Sequence, residues 1–138
     1  MNRYIVDTNI LVYLITDTLD DDTDALVRDY DSTVYVSSSS VMEFINLVQS
    51  NRVRLHKIKD FNVFRFIEET LGFRILYVDR EHLKTLNTLP VVEGHNDPND
   101  RMIIAQAICE RMELVSSDTK FSCYVKHGLD YVKAKRVV

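Results

Sequence analysis

The sequence predicts a single α/β domain: a parallel β-sheet with helices packed on both faces. Three observations carry this expectation. The chain of 138 residues is long enough for one sizeable core. Short β-rich runs alternate with segments of helical periodicity from end to end, the pattern of parallel strands joined by crossover helices. A hydrophobic content of 46% beside 28% charged residues is ordinary for a soluble globular protein, and no internal repeat, low-complexity tract or linker interrupts it.

Arg3–Val6 reads as the first strand, ended by Asp7 and followed by a helical pattern through Leu14. A start that runs straight into a strand lacks the layout of a signal peptide. The longest apolar stretches, Asn9–Ile15 and Met102–Ile108, are too short to span a bilayer. Cys109 and Cys123 have no metal-like spacing and read as free thiols, so a cytoplasmic protein without a membrane partner is expected. The net charge of −4 speaks against a surface that coats nucleic acid, but not against a nuclease, whose metal site concentrates carboxylates.

Leu19–Asp24 reads as an acidic loop opening a second helix that runs to about Tyr30. It lacks the glycine and spaced ligands of a calcium loop, so solvated acids are expected there. Thr33–Ser37 alternates as a second strand, and Ser40–Gln49 places Val41, Phe44, Ile45 and Val48 on one helical face. The basic run Arg52–Lys59 reads as a solvated loop in preference to a surface that steers RNA by charge. Phe61–Leu71 predicts an amphipathic helix with Phe64, Ile67 and Leu71 inward and Gly72 as its stop. Arg74–Val78 is the third strand, Glu81–Leu89 a short helix that Pro90 ends, and a further helix extends from Asp97 to about Met112. Leu114–Ser117 is the fourth strand, ending at Asp118, and Tyr131–Val138 is a candidate fifth.

In such a sheet, ligands bind beyond the carboxyl ends of the strands. Asp7, Glu43, Asp100 and Asp118 all fall on that edge: Asp7 and Asp118 directly after strands, Glu43 and Asp100 in the first turns of helices. Gathered carboxylates repel and raise one another's pKa unless a cation neutralises them. Hard oxygen ligands without a Cys or His set favour Mg2+ or Mn2+, which suggests phosphodiester hydrolysis.

Each acid also has a plain structural reading. Ser40-Val41-Met42-Glu43 fits a capping box, Asp7 could hold the Asn9 amide in an Asx turn, and Asp118 could simply start a turn. Asp97-Pro98 is an N-cap followed by proline at the first helical position, so Asp97 already has structural work. Asp100, three residues on, is then free to bind metal. Arg101 and Lys120 could hold a phosphate or pair with the neighbouring acids, and His95 reads as fixing its loop rather than as a general base.

Four stretches taken together, Tyr4-Ile5-Val6-Asp7-Thr8-Asn9-Ile10-Leu11, Ser40-Val41-Met42-Glu43, the run from His95 to Ala107 and Val115-Ser116-Ser117-Asp118, resemble the PIN-domain ribonucleases, and among them the VapC-type toxins of bacterial toxin–antitoxin pairs. The likeness covers nearly the whole chain in the right order. It implies one PIN-like nuclease domain over residues 1–138, a parallel sheet of about five strands, and a Mg2+- or Mn2+-dependent endoribonuclease that inhibits translation and growth. By motif position it implies Asp7, Glu43 and Asp100 as the acidic metal site, Asp118 as its more variable fourth member, and Thr8 and Asn9 as residues orienting the first aspartate. It further implies a homodimer, to which the apolar Phe61–Leu71 helix would contribute. A small antitoxin encoded beside it would cover the active site. Asn99 departs from the pattern, since relatives often carry an aromatic there.

Two other readings compete. A phospho-accepting receiver domain is also a small parallel α/β protein with an acidic crevice, but only Asp79 offers an acceptor, the paired acids after the first strand are missing, and Lys120 follows the wrong strand. A catalytically silent PIN scaffold that binds RNA or protein would not need Asp7, Glu43 and Asp100 intact.

Overall fold

β1 (Asn2–Val6) is the middle strand of an all-parallel five-stranded sheet in the order β3-β2-β1-β4-β5. β2 spans Ser32–Ser37, β3 Arg74–Leu76, β4 Glu113–Ser116 and β5 Asp130–Lys133. The computed structural model describes residues 2–53 and 60–137; the basic positions Arg54, His56, Lys57 and Lys59 lie outside them. β1 pairs with β2 in the register Tyr4 to Val34 and with β4 in the register Tyr4 to Glu113. This order differs from the 2-1-3-4-5 of the flavodoxin-like receiver fold, and so removes that alternative.

Strand side chains alternate between faces, and here both faces are buried. Tyr4, Val6, Val34, Val36 and Val115 point to one side, where they meet Ile10, Leu11 and Leu14 of α1 (Thr8–Ile15), Val27 of α2 (Asp21–Arg28) and Val41 and Phe44 of α3 (Ser38–Gln49). Ile5 and Leu114 point to the other, against Ile103, Ile104 and Ala107 of α5 (Pro98–Glu110) and Phe121 and Tyr124 of a 3-10 helix, Thr119–His127. α4 (Arg80–Thr88) packs along α5. Among the described residues, no helix is long and apolar enough to cross a membrane.

Several local expectations are corrected. α3 begins at Ser38, capped by Ser37, whose hydroxyl accepts the Ser39 N–H at 3.1 Å. Ser40 therefore lies inside the helix, and Glu43 sits in the second turn rather than closing a capping box. α2 stops at Arg28, leaving Tyr30 almost wholly exposed. Its cap, Asp20, accepts the Thr23 N–H at 3.1 Å and, through its other oxygen, the Lys135 N–H at 2.8 Å. The first of the acidic run is thus tied down, not merely solvated.

The predicted Phe61–Leu71 helix is π-helical over Arg65–Thr70, with the Leu71 N–H donating to the Phe66 carbonyl at 2.9 Å. Bonds five residues apart put an extra residue in the turn and rotate the apolar face. Ile67 remains buried, but Phe66 replaces Phe64 as the inward aromatic, stacked 6.1 Å from Phe44, and Phe64 is 45% exposed. The apolar side of this segment packs on the chain's own core, with Phe64 left outside it. The 3-10 helix Thr119–His127 lay unmarked in the sequence, and β5 is confined to Asp130–Lys133.

Candidate active site

The chain leaves β1 toward β2 on one side, while β4 lies on the other, so the crevice beyond β1 and β4 is the switch point where such sheets bind ligands. Asp7 stands there, 4% exposed, as the cap of α1. Its backbone N–H donates to the Val115 carbonyl at 3.2 Å, carrying the pairing of β1 with β4 one residue past the strand. Its Oδ1 accepts the Ile10 N–H at 3.2 Å and its Oδ2 accepts the Ser116 hydroxyl at 2.5 Å. Burial pushes the Asp7 carboxyl up to about 7, helped by the charges of Asp100 and Asp118 and opposed by the two hydrogen bonds.

The Ser116 hydroxyl also accepts the Asp118 N–H at 3.0 Å, so one side chain fixes Asp7 and the turn that carries Asp118. The Tyr131 hydroxyl donates to the Asp118 carbonyl at 2.8 Å from the other side. Burial and the charges of Asp118 and Asp7 push that phenol up to about 12, so it stays a donor. Ser116 and Tyr131 both escaped sequence reasoning; a polar residue ending an otherwise apolar buried strand was the available sign of the first.

The two aspartates of the α5 N-terminus divide as expected. Asp97 Oδ1 accepts the N–H groups of Asn99 at 2.9 Å and Asp100 at 3.1 Å, with Pro98 at the first helical position. Asp100, one turn in, is half-buried, and its carboxyl is pushed up to about 6, by burial first and then by Asp97 and Asp118, against the pull of His95. His95 is more than a loop residue. Its Nε2 is buried without a hydrogen-bond partner among the described residues and faces Asp100 Oδ2 at 3.4 Å. Its Nδ1 lies 2.7 Å from the Tyr124 hydroxyl. His95, Asp100 and Asp118 offer one ligand atom each within 4.8 Å of one another.

Glu43 stands beside this group rather than within it. Its Oε2 accepts the Asn99 side-chain N–H at 2.5 Å, and Thr8 is a second hydrogen-bond partner of the carboxylate. Burial, and then the charge of Asp97, raise its pKa. Thr8 thus serves Glu43, whereas Asn9 is exposed and the donors on Asp7 are Ile10 and Ser116.

Arg101 has other work. Its guanidinium donates to the Leu89 and Pro90 carbonyls, each at 3.0 Å, satisfying the chain at the end of α4 instead of a phosphate or a carboxylate. Lys120 Nζ reaches the Gly94 carbonyl at 3.5 Å. Asp79, the receiver-like acceptor candidate, caps α4 by accepting the His82 N–H at 3.1 Å.

A second group, His82, Cys109 and Glu110, also clusters. There, however, His82 Nδ1 accepts the Asp79 N–H at 3.1 Å, and Nε2 faces Glu110 Oε2 3.6 Å away, beyond hydrogen-bond reach. That group ties α4 to α5.

The donor set at the β1–β4 crevice fits a divalent cation. It gathers carboxylates that burial and mutual repulsion discourage from ionising together, with the His95 imidazole set against Asp100 beside them. Oxygen-rich ligands suit Mg2+ or Mn2+.

A family model described as PIN domain matches residues 4–126. No curated protein matches in sequence. Solved structures match in fold. VapBC2 from Rickettsia felis bound to a promoter DNA fragment aligns with a TM-score of 0.68 at 18% identity, covering 96% of this chain and 99% of that one. DNA-bound VapBC from Salmonella typhimurium aligns at 0.67 and 16% identity over 96% and 98% of the two chains. A toxin–antitoxin complex from Klebsiella pneumoniae aligns at 0.59 and 19% identity over 85% and 88%.

Proposed function

The chain belongs to the PIN-domain family of nucleases, and from that premise we propose that it is a Mg2+- or Mn2+-dependent endoribonuclease acting as the toxin of a toxin–antitoxin pair. The observation that carries the reading is that Asp100 and Asp118 lie within ligand reach of each other and raise the charge cost at buried Asp7 on the β1–β4 switch point, with Glu43 alongside.

Asp7, Asp100, Asp118 and Glu43 are the residues that would hold the cation. When bound, it lowers the pKa of an attacking water and polarises a phosphoryl oxygen. The protein's own part is to keep the carboxylates in place. Ser116 and the Ile10 N–H fix Asp7, the Asp97 cap fixes the turn that presents Asp100, and Tyr131 fixes the loop behind Asp118. The half-buried setting of Asp100 and the deep setting of Asp7 limit water around the carboxylates and would strengthen their hold on a cation.

The substrate in this reading is RNA, and the partner a small antitoxin, supported by the VapBC complexes that share the fold. A cytoplasmic homodimer is part of the same proposal. Phe64 of the Phe61–Leu71 segment, Leu83 and Val91 are exposed apolar side chains available to a subunit contact. The deciding experiment is cleavage of a total RNA pool by wild type and Asp100→Asn, with and without Mn2+. Metal-dependent cleavage that Asp100→Asn abolishes is expected. A folded wild type that binds RNA but never cuts it would favour the silent scaffold.

A further inference from the structure

We infer that Asn99, on the second position of α5, is a positioning residue that sets the Glu43 carboxylate for the cation, an inference that rests on the metal-site reading above. Its backbone N–H is spent on the Asp97 cap, which turns the side chain toward α3. There the amide Nδ2 donates to Glu43 Oε2 at 2.5 Å and reaches Thr8 Oγ1 at 3.5 Å, while Oδ1 accepts a short hydrogen bond from the Ser39 hydroxyl. This network settles which way the amide faces, because the flipped amide would set Oδ1 against a carboxylate oxygen.

Three helices meet at this one side chain: α1 through Thr8, α3 through Ser39 and Glu43, and α5 through Asn99 itself. Glu43 is the acid that stands apart from the three aspartates, on a long side chain with several rotatable bonds. Hydrogen bonds from Asn99 on Oε2 and from Thr8 restrict those rotations, and the carboxylate's remaining lone pairs stay open to a cation. An aspartate at position 99 would add a repelling charge, and a phenylalanine would supply no donor to the carboxylate. The uncharged amide does both tasks, donating to Glu43 and accepting from Ser39.

Outer groups that orient metal ligands typically change affinity by about 10- to 100-fold when removed. The test is Mn2+ titration calorimetry on the full chain, with melting in EDTA to confirm folding. Asn99→Ala should weaken Mn2+ binding about tenfold. Ser39→Ala, which frees the amide without touching a carboxylate, should weaken it less and in the same direction. In a Glu43→Gln background, Asn99→Ala should change affinity less than about twofold, since coupled residues are not additive. Unchanged affinity in folded Asn99→Ala, or an equal loss in both backgrounds, would overturn the role of Asn99. If the wild type binds no Mn2+, or Asp100→Asn binds it as well as wild type, the metal-site reading itself falls and takes this inference with it.

Discussion

His95 and Asp100 face each other at 3.4 Å, imidazole Nε2 to carboxylate Oδ2, across the mouth of the β1–β4 crevice. The imidazole is held from behind: its Nδ1 is 2.7 Å from the Tyr124 hydroxyl, and Phe121 meets its ring edge-on with centroids 5.6 Å apart. Arg101 Nη1 points at the same hydroxyl from 3.5 Å. The loop before α5 is thereby locked to the 3-10 helix after β4, and the positions of Asp100 and Asp118 become linked.

Tyr124→Phe tests that lock. It removes one hydroxyl from a fully buried ring and leaves His95 Nδ1 without its partner, which should cost about 1–3 kcal/mol in urea denaturation. Mn2+ affinity should fall as well, because Asp100 loses its rigid neighbour. A variant as stable as wild type would show that ring packing alone holds His95.

The raised carboxyls predict a pH dependence. Asp7 moves from 3.8 to about 7 and Asp100 from 3.8 to about 6 on folding, so between those limits the folded chain binds more protons than the unfolded one. Stability without metal should therefore fall as pH rises from about 4 to about 7, by an amount on the order of a few kcal/mol for Asp7. Asp7→Asn should flatten the melting temperature against pH in EDTA. Saturating Mn2+ should reverse the wild-type slope, since the ion binds the ionised carboxylates. A wild-type curve that rises across this window in EDTA would contradict the buried, crowded setting of both acids.

Ser116→Ala should act on the same titration. The Ser116 hydroxyl is the stronger of the two hydrogen bonds opposing burial at Asp7, and it also holds the Asp118 N–H. Without it, the Asp7 carboxyl should titrate at higher pH than in wild type, read by carbon-13 NMR of labelled aspartate. Stability at low pH should change less than stability at neutral pH, where the ionised carboxylate has lost its donor. The same titration point in both proteins would remove Ser116 from the site.

The sheet and the positions of the acids on its edge were legible because they rest on local patterns: apolar runs of strand length, periodic faces, and acids at strand ends and helix starts. What stayed hidden depends on contacts distant in sequence. Ser116 meets Asp7 across 109 residues and Asn99 meets Glu43 across 56, and no spacing rule encodes either. The start of α3 was misplaced because Ser37, Ser38, Ser39 and Ser40 are all acceptable caps; the pairing of β2 through Ser37 decides among them. Phe64 was misassigned because an α-helical period cannot anticipate a π-helical turn.

Asp97 and Asp100 can be separated by experiment. Asp97 holds two N–H groups at the start of α5, so Asp97→Ala should cost about 0.5–2 kcal/mol of stability, as N-cap losses do. Asp97→Asn keeps a good cap and removes the charge, so stability should stay near wild type. The Asp100 carboxyl should then titrate lower, because Asp97 is the first charge raising it after burial. Asp100→Asn should behave oppositely. It removes a charge from a crowded site while keeping the shape, so the metal-free protein should melt at or above the wild-type temperature near pH 7. RNA cleavage in Mn2+ should fall by orders of magnitude in Asp100→Asn and survive in both Asp97 variants. Melting of the three variants in EDTA, paired with cleavage in Mn2+, reads all of this at once. A fully active Asp100→Asn, or a stable but inactive Asp97→Asn, would mean that the outer aspartate, not the inner one, serves the cation.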